Sequence, residues 1–540
     1  MSILEQILDR TGPCLSSTLV KELVASEGIT DTAARQRVSR GSDKIGKLYN
    51  LFPRNASFVY LKVQFGSEEY WTALIDALML TEAAYGQALA CLFQRGGIVP
   101  ARHFEIACGA PGRLKKHLSH RKILDTLISA KLVQKIDIQG VGECVAFIQQ
   151  EGRYDNAAST IRARLLAEKL FLDGFTDWIK KLGLVSYHKV QVRDTFEGQP
   201  NFAGYSWDLT APCYLGAVIS LSETGVKPGF VVSDILFGSE ITEAGLKPFL
   251  TKCDTTRSLK GVGRCLQFFI AEGFTQGAFD LAKRKGVIPV TPQNLYGKEV
   301  AAGFRSLITA LTYMGDMPID PAMIDEIFNR LKKFEGSVNN LRGTLFEYVV
   351  ASILEKNNRP HELSMNKTLN NKGKKSEVDV LAIYQTNARF IECKGYPPYS
   401  TVPDEEFKKW LTESVPNVFG YCKNVHPDWK EKELEFEFWT TGKLSDAALA
   451  SFNDLSKKIK KSRYSIAYKD ASQVKEAAAL TKDKKLIATL NQHFLTHPVV
   501  IPSYELSVPA ARSLATSKED MDVEGDEDEC GAEYAHGDVK

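Results

Sequence analysis

The sequence predicts a multidomain α/β protein. Three observations carry this: a chain of 540 residues, too long for a single core; helical and strand-like segments that alternate through its middle and carboxy-terminal parts; and helix-rich stretches bearing arginine and lysine ahead of them. Length favours about three or four domains. The hydrophobic share of 44% and charged share of 25% are those of a chain able to bury ordinary cores. No apolar run approaches the roughly 18 residues needed to span a bilayer, and residues 1–10 lack a basic region ahead of an apolar one, so neither a membrane span nor a signal peptide is expected. The ten cysteines are scattered with no C-x-x-C pair, which argues against a zinc site or a disulfide framework and fits a reducing cytoplasm. Residues 519–540 carry ten acids against one lysine, a charge of −9, so the rest of the +2 chain carries +11. A basic body suits a partner with phosphates, and the acidic segment 504–540 reads as a disordered, solubilising tail.

Residues 1–62 have the layout of a winged helix. Ser16 and Ser17 are placed to cap a helix through Leu19, Leu23 and Val24, which Gly28 ends. Thr30 and Asp31 start a second helix bearing Arg35, Arg37 and Arg40, and Phe52 to Phe58 reads as a hairpin wing. In such a layout the second helix enters the major groove, which makes these arginines DNA-contact candidates; a module that joins domains reads from the same pattern. A second unit of similar type spans 78–150. Its most basic stretch holds Lys115, Lys116 and Arg121, and Leu132–Ile136 with Val145–Phe147 makes another hairpin turning at Gly140 and Gly142. Basic side chains there suit phosphates, and equally a solvated face.

Residues 153–300 read as an α/β domain: a long helix from Ala157 to Leu182 with a break at Gly174, strands at Val185–Val192, Tyr205–Thr210 and Gly229–Leu236, a helix at Arg264–Glu272, then a helix running into a strand that ends at Val290. A helical stretch, Val300 to Lys333, leads to a last globular unit at 336–503.

That last unit carries the chemistry. In Leu345–Leu354 the sole charge is Glu347, with apolar residues on both helix faces. A carboxylate so placed needs a cation, a hydrogen-bond network or a proton. Glu377–Tyr384 and Arg389–Lys394 read as two strands of a hairpin, with Gly395, Pro397 and Pro398 ending the second. Strand alternation puts Glu392 and Lys394 on one face. A four-residue turn sets Asp379 opposite Lys394, with Glu392 diagonal at about 7–8 Å between Cα atoms; a two-residue turn sets Asp379 opposite Glu392. Either register keeps all three on one face. Two carboxylates suit a divalent ion, which stabilises phosphoryl charge and lowers the pKa of a bound water. Asp379 and Glu392 are the candidate ligands, the Cys393 carbonyl a third, Lys394 the group that orients or deprotonates the water, and Glu347 the holder of a second metal or of the metal's waters. A core strand pair with a surface Lys394–Glu392 ion pair is the plainer alternative; it leaves Glu347 and Asp379 without a role.

The order helix-Glu347, strand-Asp379, then Glu392-x-Lys394 resembles the PD-(D/E)XK nucleases, the restriction-endonuclease-like enzymes, over about 336–470. The resemblance implies an α/β/α core, Asp379 and Glu392 as metal ligands, Lys394 as the catalytic lysine and Glu347 as the first-helix acid. Val378 stands where a proline often precedes the aspartate. Residues 153–300 repeat the order of elements and their ending resembles Mrr-like members, yet no Glu-x-Lys follows, so a degenerate copy with Asp208 as a relic is the expectation, beside an unrelated α/β domain.

The function these readings imply is a magnesium-dependent DNA endonuclease, with manganese as a substitute, plausible in restriction or anti-phage defence by analogy alone. No small-molecule cofactor is evident, and one complete site per chain makes a homodimer the expectation for cutting both strands. A DNA-binding scaffold with a silent nuclease fold, or an RNA nuclease, are the alternatives.

Overall fold

The computed structural model describes residues 2–496 apart from 54–55, 82, 115–116, 149–156, 196–197, 216–217, 223–224, 260–261, 315–319, 332–337, 398–399, 427–428, 430 and 460–463. Lys115, Lys116 and the segment 504–540 therefore lie outside the described residues.

The chain opens with α1 (Ile3–Thr11), β1 (Cys14–Leu15), α2 (Ser16–Glu27), α3 (Asp31–Arg40), β2 (Ile45–Leu48) and β3 (Phe58–Leu61), whose strands form a three-stranded sheet in the order β1-β3-β2. Thr30 caps α3 by accepting from the Ala33 N–H, and Gly28 closes α2 in the left-handed region. Neither Ser16 nor Ser17 caps α2: Leu15 is its N-cap and makes no side-chain cap bond. The hairpin strands flank the segment expected to form the wing, because Phe52 and Phe58 are core residues, their rings stacked at 6.2 Å.

After α4 (Glu68–Leu80) the same order recurs in α5 (Ala84–Gln94), β4 (Ile98–Pro100), α6 (Ala101–Ala107), α7 (His120–Ser129), β5 (Val133–Ile138) and β6 (Gly142–Phe147), with sheet order β4-β6-β5. Gly140 and Gly142 turn the β5–β6 hairpin at φ of 71° and 91°, a region other residues rarely enter.

Then follow α8 (Ala157–Lys181), β7 (Gln191–Val192), β8 (Asn201–Phe202), β9 (Tyr205–Ser206), β10 (Leu209–Cys213), β11 (Ser220–Ser222), β12 (Gly225–Lys227), β13 (Gly229–Ile241), α9 (Glu243–Ser258), β14 (Cys265–Phe274), α10 (Gln276–Arg284) and β15 (Ile288–Val290). The main sheet here runs β15-β14-β13-β10-β7, antiparallel from β7 to β13 and parallel from β13 to β15. Helices α11 (Pro292–Tyr296), α12 (Lys298–Met314) and α13 (Pro321–Leu331) lead to α14 (Val338–Asn358), β16 (Glu362–Asn371), β17 (Lys374–Ile383), β18 (Asn387–Lys394), α15 (Asp404–Lys409), α16 (Val415–Asn424), β19 (Glu433–Thr440), α17 (Asp446–Lys458), β20 (Ser465–Lys469), α18 (Ala471–Leu480) and α19 (Lys484–Leu490). The second five-stranded sheet runs β16-β17-β18-β19-β20, antiparallel from β16 to β18 and parallel from β18 to β20. The two five-stranded sheets thus have one topology, each preceded by a long helix.

Several expected elements differ. Cys265–Phe274 is a strand, not a helix: it lies at the parallel part of its sheet and is buried through Gln267–Ala271, so it lacks the alternation that marks a half-exposed strand. Helix α9 was hidden by Pro248 within it, whose side is buried. Helix α8 runs unbroken through the buried Gly174, and Val185–Val192 contributes only β7. Tyr205–Thr210 is divided between β9, which pairs with β8, and β10, which joins the main sheet.

One apolar core, through Phe171, Phe237, Phe304, Leu345, Val380 and Ile391, joins α8, α12 and α14 to both five-stranded sheets. A second core, with Leu381, Phe390, Phe407, Trp410 and Phe438, packs α15 and α16 on the other face of the carboxy-terminal sheet. That sheet is therefore covered on both sides. Among the described residues no helix is long and apolar enough to cross a membrane.

Candidate active site

The Tyr384 N–H donates to the Asn387 carbonyl at 2.9 Å, so the β17–β18 hairpin turns on Gln385 and Thr386. Of the two registers open to this hairpin, the structure has the shorter turn: Val380 faces Ile391, and one residue on Asp379 stands opposite Glu392. The β17–β18 ladder ends with Val380–Ile391, just short of the acids, while β17 continues against β16. The strands fork there. The Asp379 carboxylate spans the fork, accepting the Cys393 N–H at 2.7 Å. This holds the aspartate at the opening.

Lys394 donates to Glu392 Oε1 at 2.7 Å, and its Nζ lies 3.9 Å from Asp379 Oδ2. The three side chains remain partly accessible, at 28% for Lys394, 20% for Glu392 and 13% for Asp379. Burial, then Glu392, raises the Asp379 carboxyl to about 7. Burial opposes the charged form of Lys394, but Asp379 and Glu392 outweigh it and hold the ammonium well above its ordinary value.

Glu347 comes from the helix on the other face of the sheet. A Cβ at Gly395 would stand 2.7 Å from the Arg342 carbonyl oxygen and 2.8 Å from Phe346 Cβ, so the bare glycine lets α14 press onto the end of β18. That approach brings Glu347 to the fork. Its carboxyl is pushed well above the usual range, by burial first and by Asp379 next. It lines a cavity of about 160 Å³ with Ser159 and Arg162 of α8, Thr344, and Asn366 of β16.

Glu347, Asp379, Glu392 and Lys394 are thus brought together. Cys393 contributes its N–H to Asp379, while its buried thiol is pushed well up, by burial first and then by Asp379. The DNA-contact candidates lie elsewhere. Arg35 and Arg37 are exposed on α3 but tied to Asp31 at 2.5 Å and Glu27 at 3.2 Å; Arg40 and Arg121 are exposed and form no ion pair with a described residue. Lys408 and Lys409 of α15 are exposed and Trp410 is buried in the core.

Three residues join the site that the sequence reading did not assign. Glu377 shares the Asp379 face by strand alternation; burial raises its carboxyl and Arg162 opposes the rise. Arg162 reaches the site from α8, a different sheet's helix, and no local pattern marks it. Asn366 sits on β16 with a φ of 53°, in a strand the reading passed over.

As to a metal, no three His, Cys, Asp or Glu side chains among the described residues converge as a ready cage. The opposed pair Asp379 and Glu392 fits a hard cation that keeps several waters, as magnesium does. The raised Asp379 carboxyl is what a carboxylate cluster short of positive charge shows.

No family model matches the chain, and no curated protein matches it. Among solved structures, Can2 from Sulfobacillus thermosulfidooxidans in complex with cyclic tetra-adenylate is 14% identical over 48% of this chain and 93% of that one, with a TM-score of 0.20. Protein VC1899 from Vibrio cholerae is 13% identical over 43% of this chain and 49% of that one, about half its length, with a TM-score of 0.13. Likeness at that level carries nothing about chemistry, which rests on the residues described above.

Proposed function

We propose that this protein is a metal-dependent nuclease that hydrolyses phosphodiester bonds in DNA. The observation that carries the reading is the fork: Asp379 held by the Cys393 N–H, Glu392 opposite it, and Lys394 within reach of both. A bound magnesium would draw charge from the phosphoryl oxygens and lower the pKa of a coordinated water. Asp379 and Glu392 would hold it. Lys394, kept protonated by the two acids, gives up its contact with Glu392 to face the scissile phosphate and the attacking water, where it stabilises developing negative charge. Glu347, protonated more readily than an ordinary carboxyl, orders water at the buried side of the fork. The element order α-β-α-α-β-β of the first two units, with basic residues on α3 and α7, supports duplex DNA as the partner.

The test is plasmid cleavage by the full chain in magnesium and in EDTA. Wild type should cut only with the metal, and Lys394→Ala should lose roughly 10²–10³-fold or more, the cost of removing one oxyanion-stabilising donor. Cleavage by Lys394→Ala at the wild-type rate would falsify the assignment. A second reading, a DNA-binding scaffold, is favoured by the Lys394–Glu392 ion pair, which satisfies the lysine without substrate. DNA binding with no cleavage of duplex, single strand or RNA in any divalent ion would select it.

A further inference from the structure

The two five-stranded sheets share more than topology. In the middle sheet Leu209 lies opposite Ser233 on one side and Val192 on the other. In the carboxy-terminal sheet Val380 lies opposite Ile391 and Met365. One residue further along each strand, Asp208 matches Asp379, Asp234 matches Glu392, and Arg193 matches Asn366. The Ile235 N–H donates to Asp208 Oδ2 at 2.7 Å, as the Cys393 N–H does to Asp379 Oδ2 at 2.7 Å. Glu168 of α8 stands in for Glu347 of α14, and Leu236 falls where Lys394 does.

What differs is the cation. Arg193 gives one nitrogen to Asp208 Oδ1 at 2.8 Å and another to Glu168 Oε2 at 2.6 Å. Lys252 of α9 pairs with Asp234 Oδ2 at 2.6 Å, donates to the Ile106 and Ser206 carbonyls at 2.9 Å each, and lies 4.1 Å from the Trp207 ring centre. Side-chain exposure is 6% for Arg193, 3% for Glu168, 1% for Asp208 and 0% for Lys252. In the carboxy-terminal half the residue matching Arg193 is the short Asn366, and beside it is the cavity of about 160 Å³ that Glu347 lines.

We infer that the middle half is a second copy of the same site, sealed by the chain's own guanidinium and ammonium groups, and that the residue at the Arg193/Asn366 position decides whether a copy is sealed or open to a divalent ion. A guanidinium between the first-helix acid and the strand aspartate occupies the space and satisfies the charge that an ion would. An asparagine is too short and carries no charge to bridge the two in that way.

Reciprocal exchange in the full chain tests this, with thermal melting in EDTA and in manganese as the readout. Asn366→Arg should fold, with some loss of stability in EDTA because Asn366 has a φ of 53°, and should lose the upward shift that manganese gives wild type. Arg193→Asn should melt lower than wild type in EDTA, since it strands Glu168 and Asp208, and should regain stability in manganese; Arg193→Asn with Asp208→Asn should not regain it. Asn366→Arg shifting with manganese as wild type does overturns the inference. So does Arg193→Asn melting at the wild-type temperature in EDTA, or failing to respond to manganese once folded. If Arg193→Asn does not fold, the Asn366→Arg arm still decides. If wild type neither cuts DNA nor responds to manganese, the proposed nuclease fails by itself, and the Arg193→Asn arm still reads the middle site.

Discussion

Asp379 is where the chemistry and the stability of this fold conflict. In metal-free protein its carboxyl titrates at about 7, against about 3.9 in an unfolded chain. Between those values the folded state holds the extra proton. Its contribution to stability is therefore present below about pH 4 and lost as pH rises through 7. The expected outcome in EDTA is a melting temperature that falls between those pH values, with a shallower fall in Asp379→Asn. Equal slopes for the two proteins would show that Asp379 is not the group strained by the cluster. The same residue illustrates what a sequence exposes. Asp379, Glu392 and Lys394 were legible because side-chain alternation is a property of any strand, whichever register the turn selects. Glu347 was legible as a lone charge in an apolar helix. Arg162 was not, since only the docking of α8 against α14 brings it there.

At the scale of elements, the site depends on two close approaches. The first is α14 on the end of β18. Gly395→Val would insert atoms against the Arg342 carbonyl and Phe346, and should cut cleavage by an order of magnitude or more while leaving a folded protein, because overpacking there typically costs ~1–3 kcal/mol. Full activity in Gly395→Val would mean that the α14 position is not critical. The second is α8 against the same cavity. Arg162 opposes the rise in the Glu377 carboxyl, so Arg162→Gln should weaken cleavage by roughly tenfold, about 1.4 kcal/mol, and with little change in DNA affinity measured by titration without metal. A loss of affinity with an unchanged rate would instead make Arg162 a DNA contact. Elements were unequally legible for a physical reason. The β17–β18 hairpin carries polar residues on a turn and reads clearly, whereas β14 is buried on both faces and its apolar run has no period of two to distinguish it from a helix. Strand β16, rich in polar residues and half exposed, gave no strand signal at all.

For the whole molecule, the charge-filled middle site leaves one open carboxylate fork per chain among the described residues. Cutting both strands of a duplex then requires two chains or two successive nicks. On supercoiled plasmid we expect nicked circles to precede linear product at low protein concentration, and linear product to rise more steeply than first order in protein. Linear product formed first and in proportion to protein would argue for a second cutting centre within the chain. The amino-terminal units are not loose appendages to this machinery. Gln139, at the β5–β6 turn, donates to the Asn366 carbonyl at 3.1 Å, and Asp137 pairs with Lys375 at 2.6 Å. A hairpin of the second unit is therefore engaged with the carboxy-terminal sheet.

Helix α8 carries Glu168 into the middle site and, about two turns earlier, Ser159 and Arg162 into the cavity that Glu347 lines. It is a party wall. The two halves of like topology therefore share a structural member. Removing the middle half would take a wall from the cavity that Glu347 lines, which gives that half a reason to persist apart from any chemistry of its own.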